Sequence, residues 1–211
     1  MIITDLDKSL LNNDRQKTEY TKEICKIFLI LLTTNISRTI IYYKKIMEIL
    51  DLYDKNGNKL YKTHIRGEPL KSNEYCIAVD VWIKNNKGQF LLTQRHPSKI
   101  YPRKWECTSG CILSGEDSFT GALREVKEEI GINLKKEEGK NIYRICRHDR
   151  QIIFDIFLFN KSVNINEVKL QEDEVIDIKW IEKEELLEMF KREEMVEPLD
   201  YVFELIEKGL L

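Results

Sequence analysis

The stretch "GCILSGEDSFTGALREVKEEIGI", residues 110–132, decides how this chain folds. It sets Glu125, Glu128 and Glu129 behind Arg124 and just ahead of Gly131. On a helix, positions i, i+3 and i+4 share one face. Three like charges there repel by roughly a few tenths of a kcal/mol per pair. A hard divalent cation offsets that repulsion, and carboxylate oxygens suit Mg²⁺ or Mn²⁺. Ser118 is the expected N-cap of this helix, and Gly131 the left-handed residue that ends it.

The segments around the helix read as strands. Upstream, "EYCIAVDVWIKNNKGQFLLTQR" has two runs of β-branched and aromatic residues flanking Asn85, Asn86, Lys87 and Gly88, a hairpin pattern. "DLYDKNGNKLYKT" is a second hairpin signal, built on Asn56-Gly57-Asn58. "HPSKIYPRKW" is a loop, and "WECTSG" a strand that leads into the glutamate-rich stretch. Downstream, "IYRICRHDRQIIFDIFLFN" supplies one or two strands and "VIDIKWI" another. Two helices close the chain, near 183–191 and 198–208.

The stretch has a fixed grammar. Gly110 is followed after five residues by Glu116, then after seven by Arg124-Glu125-Val126. One residue on comes Glu128-Glu129, and one further on Gly131-Ile132. This resembles the Nudix box at every specified position. An isolated "REVKEE" reads as a solvated helix face, but Gly110, Glu116 and Gly131 standing in register argue against that. The resemblance covers residues 50–211. It implies an α/β/α sandwich with a mixed sheet. It also implies that Glu125, Glu128 and Glu129 coordinate Mg²⁺, with Mn²⁺ as an alternative. Arg124 would pair with Glu116 and hold loop to helix. Gly110 and Gly131 support the motif, and Glu174 is the preferred further acid from a later loop.

The implied activity is metal-dependent hydrolysis of a diphosphate linkage in a nucleoside diphosphate derivative, by attack of activated water on phosphorus. Arg66 and Arg95 are the candidate substrate contacts. Residues 50–110 look like the branch that includes isopentenyl-diphosphate isomerase, the first alternative. That isomerase needs a cysteine in a Cys-x-His-Pro-type segment. Alignment on Trp105 puts Gly110 there, with Ile112-Leu113 in place of His-Pro. Cys107 and Cys111 fall out of register and read as small apolar core residues. A non-catalytic nucleotide-binding regulator is the second alternative; the intact box argues against it.

Residues 1–49 have another character. "ITDLDKSLLNNDRQ" and "IFLILLTTNISRTIIYYKKIMEILDL" read strand, helix, strand, helix, with the last helix running to Leu50. They resemble the start of a haloacid-dehalogenase-type phosphatase, with Asp5 and Asp7 as its aspartate pair. The later lysine and acidic motifs have no place before the Nudix part begins, so this reads as a truncated, inactive βαβα fragment. It must dock, pair with another chain as in a homodimer, or remain poorly ordered.

The chain has 211 residues, of which 42% are hydrophobic, enough for one sizeable core. A formal net charge of −2 gives no electrostatic reason to bind nucleic acid or an anionic membrane. The apolar run "IFLILL" is far too short to span a bilayer, and the N-terminus shows no signal-peptide pattern. Five irregularly spaced cysteines read as reduced thiols in the cytoplasm. The expected partner is a small diphosphate molecule.

Overall fold

A computed structural model of the chain describes residues 48–211, nearly all within the unit Ile49–Leu211. The expectations for the opening fragment, including Asp5 and Asp7, lie outside the described residues. The first described element is β1 (Ile49–Tyr53), which pairs antiparallel with β2 (Lys59–Ile65). The sequence pattern carries a helix to Leu50, but the strand already begins at Ile49. Alternation explains this: Leu50 and Leu52 both turn inward against Cys76. The hairpin turn is held by Asp54, whose carboxylate accepts hydrogen bonds from the N–H groups of Asn56 and Asn58 at 2.8 and 2.9 Å.

Further along come β3 (Cys76–Lys84), β4 (Phe90–Arg95), β5 (Trp105–Glu106) and β6 (Thr108–Cys111). Helix α1 (Ser118–Ile130) follows. Then come β7 (Gly139–Arg147), β8 (Ile152–Asn160), β9 (Val175–Ile181) and α2 (Lys183–Lys191). The closing helix expected near 198–208 is instead a 3₁₀ segment, Glu197–Tyr201, running into a short α3 (Val202–Glu207). Among the described residues, seven strands form a mixed sheet with the path β5-β4-β3-β8-β7. Strand β3 runs parallel to β8 and antiparallel to β6, while β9 adds to β4.

Period-two alternation along β3 splits the core. Ile77, Val79, Val81 and Ile83 face α1 through Ala122, Val126 and Ile130. Ala78 and Trp82 face the other way, onto Leu186 and Met189 of α2 and Val202 and Leu205 of α3. The result is the expected α/β/α sandwich, with helices on both faces of a buried central sheet. Each fully buried Leu, Ile, Val or Phe side chain contributes about 1.5–3 kcal/mol. That burial fixes α1 against the sheet and so fixes where its glutamates stand.

Candidate active site

Strand β6 delivers the chain to Gly110 and Cys111, and a loop carries it to α1. The helix cap differs from the sequence expectation. Asp117, not Ser118, is the N-cap, and its carboxylate accepts from the Thr120 N–H at 2.6 Å. Ser118 is the first helical residue, and its hydroxyl donates to buried Asp155 on β8. The cap shifts by one residue because Ser118 has a sheet partner to anchor while Asp117 faces solvent. At the other end Gly131 adopts φ +69° and its N–H returns to the Lys127 carbonyl, as expected of a left-handed terminator.

Arg124 ties loop and helix together. Its Nε and Nη2 donate to the two carboxylate oxygens of Glu116 at 2.9 and 3.0 Å, a two-pronged pair. Nη2 also donates to the Cys111 carbonyl at 2.9 Å, and Nη1 reaches Glu125 at 2.8 Å and Glu128 at 3.0 Å. Glu116 in turn accepts from the Leu113 N–H at 3.1 Å. Burial works against the charge on Arg124, but Glu116 and Glu125 more than offset it, so its proton is held more tightly than usual.

The three helix glutamates have unequal surroundings. Glu125 sits deep, its side chain 12% exposed, while Glu128 is 54% exposed. Burial raises the carboxyl of Glu125, against the pull of Arg124. Burial raises Glu129 further, helped by the negative charges of Glu106 and Glu125 and opposed by Lys99 and Arg95. Glu106, on β5, is itself buried and is pushed up to about 7 by burial, although Arg95 donates to it at 2.6 Å. A run of carboxylates therefore extends from Glu128 through Glu125 and Glu129 to Glu106.

Among the described residues, no three or more His, Cys, Asp or Glu side chains are already drawn into a cation site; Glu125 and Glu128 turn to Arg124 instead. The donor set still fits a hard divalent cation. All donors are oxygen, three project from neighbouring positions on one helix, and the burial of Glu125 and Glu129 makes uncompensated charge costly.

A family model described as the NUDIX domain matches residues 74–205, a span that contains all of this geometry. The chain belongs to the Nudix family. It is a Nudix-type hydrolase, and it is 38% identical over 144 residues to an uncharacterized Nudix hydrolase of Listeria innocua serovar 6a, covering 66% of this chain and 83% of that one. A crystal structure of a Deinococcus radiodurans protein shares the fold, with a TM-score of 0.62 at 18% identity, over 76% of this chain and 98% of that one. A MutT protein from Methanosarcina mazei Go1 matches with a TM-score of 0.53 at 26% identity, over 64% of this chain and 94% of that one.

Within this Nudix domain the other candidates find definite places. Arg95 donates its Nε to the Ile100 carbonyl at 2.7 Å and its Nη1 to Glu106, so its guanidinium is engaged in the wall of the site. Glu174 pairs with Lys99, whose charge also reaches Glu129. The Gln171 N–H bonds the Glu129 carbonyl at 2.8 Å, which lays the Glu174 loop against the end of the carboxylate row. Arg66 follows β2, and its charge is felt at Glu125. Glu106, Asp155 and Asp51 escaped the sequence reading. Their signal was present: each is a lone acid in an apolar strand, "WEC", "IFDIF" or "ILDLY", and a buried acid demands a partner.

Proposed function

We propose that this Nudix hydrolase cleaves the diphosphate linkage of a nucleoside diphosphate derivative, such as a nucleotide or nucleotide sugar, with Mg²⁺ or Mn²⁺ as cofactor. The observation that carries the reading is the placing of Glu125, Glu128 and Glu129 on one helix beside Arg124, whose Nη1 reaches Glu125 at 2.8 Å and Glu128 at 3.0 Å while Glu116 takes its Nε. These three residues would hold the cation. A cation bound there neutralises charge on the diphosphate and makes a bound water more acidic.

The chain's own residues account for the rest. Arg124 keeps Glu125 and Glu128 in place, and Glu116 keeps Arg124 in place. Arg66, near Glu125, supplies a positive charge for a substrate phosphate. Glu174, held by Lys99, stands ready as the further acid at the Glu129 end. Water attacks one phosphorus and the other phosphate-bearing group leaves. Against the isomerase alternative, Cys107 is fully buried and burial pushes its thiol well above the ordinary range. No described helix is long and apolar enough to cross a membrane. The free cysteines among the described residues suit a reducing compartment such as the cytoplasm.

The test is a panel of nucleoside diphosphate derivatives and isopentenyl diphosphate, assayed with Mg²⁺ and with chelator. Hydrolysis of at least one nucleoside diphosphate derivative that stops on chelation is expected. Metal-independent turnover, or isomerisation of isopentenyl diphosphate alone, overturns the reading.

A further inference from the structure

The family model begins at residue 74, yet the loop ahead of α1 is held by a residue well before it. Asp51, on β1, is 5% exposed. One of its carboxylate oxygens accepts from the Ser114 hydroxyl at 2.9 Å. The other accepts from the Gly115 N–H at 2.9 Å and from Lys59 Nζ at 2.6 Å. The Ser114 N–H donates to the Ile49 carbonyl at 2.7 Å, so β1 grips the same two loop residues by backbone and by side chain. Burial opposes the charge on Asp51, but Lys59, Gly115 and Ser114 together hold its carboxyl below the ordinary value.

These contacts run directly into the carboxylate row. Gly115 precedes Glu116, Glu116 holds Arg124 in a two-pronged pair, and Arg124 holds Glu125 and Glu128. The hairpin is itself anchored to the domain, because Tyr53 and Tyr75 exchange backbone hydrogen bonds of 2.8 Å in both directions. Its second strand leads to Arg66, whose charge reaches Glu125. One hairpin thus braces the loop ahead of the helix and brings a cation to the same glutamate.

We infer that the β1–β2 hairpin is a working part of the active site and that Asp51 is a positioning residue for the carboxylate helix, acting through Ser114 and Gly115. The inference rests on the assignment of the cation to Glu125, Glu128 and Glu129. Asp51 itself touches neither cation nor substrate. Its effect passes through loop geometry, as partners behind metal ligands generally act, where loss changes affinity or activity by about 10–100-fold.

The experiment uses the full chain with Asp51→Asn, Ser114→Ala and Glu128→Gln. Binding of Mn²⁺ alone is followed by electron paramagnetic resonance, alongside thermal melting and the kcat and KM of the best substrate from the panel. Asp51→Asn is expected to remain folded, to weaken Mn²⁺ binding and lower kcat by about tenfold, and to leave KM within about twofold. Ser114→Ala moves the same quantities in the same direction by less. A folded Asp51→Asn with wild-type Mn²⁺ binding overturns the inference, as does a kcat loss that only tracks the folded fraction. Should Asp51→Asn not fold, Ser114→Ala decides on the same criteria. Loss of Mn²⁺ binding in Glu128→Gln but not in the hairpin variants overturns the hairpin inference alone. Wild-type binding in all three overturns the metal assignment and the inference with it.

Discussion

Gly110 and Glu125 meet so closely that a methyl group added to Gly110 would lie 2.0 Å from Glu125 Cδ. Strand β6 and helix α1 touch at this point, and the absence of a side chain on the strand is what lets the carboxylate settle there. The contact sets the depth of Glu125 and therefore the position of the row.

Gly110→Ala should push Glu125 out of place while leaving the sandwich intact, because the clash falls on the end of one side chain. Turnover should drop by at least about tenfold, with a cooperative thermal melt retained. A wild-type rate in the alanine variant would show that the close contact does not set the geometry of catalysis.

Glu128→Gln keeps the shape of the side chain and removes its charge. With 54% of that side chain exposed, the melting temperature should hardly move. Turnover should fall by at least about a hundredfold, because charge stabilisation at the cation weakens. A near-normal rate in saturating Mg²⁺ would sink the assignment of this helix.

Glu116→Gln tests the brace rather than the chemistry. Glu116 takes both prongs of Arg124 and the Leu113 N–H, and both partners of the ion pair are 19% exposed. Loss of the charge should destabilise the fold by about 1–3 kcal/mol, read as a melting temperature lower by several degrees in calorimetry. An unchanged melt would mean the pair contributes nothing to stability.

The pH dependence of stability should carry the mark of Asp80. Its carboxyl is buried on β3, accepts from Ser109 and Tyr201 at 2.6 and 2.7 Å, and lies near Cys107, Glu106 and Arg147. Burial raises it from an ordinary 3.8 to about 6. The folded state therefore binds the proton more tightly than the unfolded state. Its contribution to stability is complete below about pH 4 and is lost as pH rises through about 6, a change of about 3 kcal/mol. Chemical denaturation of Asp80→Asn against wild type between these limits should show the difference narrowing toward acid. A gap that stays constant with pH would exclude this role.

Cys107→Ala should leave the hydrolytic rate within about twofold, since the thiol is wholly buried beside Tyr201 and away from solvent. The cavity should lower stability by about 1 kcal/mol. Loss of all turnover in a folded Cys107→Ala, together with isomerisation by wild type, would restore the isomerase reading.

The sequence by itself determined the local part of this design. The shared face of Glu125, Glu128 and Glu129 and the stop at Gly131 follow from helical periodicity and capping, which operate over a few residues, while the Arg124–Glu116 pair was implied by the Nudix resemblance. Period-two strands around that helix agreed with the sandwich that the Nudix resemblance implied. Tertiary structure alone decided which acids join the row and what holds it. Glu106 comes within electrostatic reach of Glu129 although it lies on β5, a strand paired with β4 at the end of the sheet path. Asp51 reaches Gly115 across 64 positions of chain, and Asp155 reaches Ser118 across 37. The cap moved from Ser118 to Asp117 for the same reason. A lone acid in an apolar strand announces that it needs a partner. Only the packing of strands and helices, set by burial of their apolar faces, says which partner it meets.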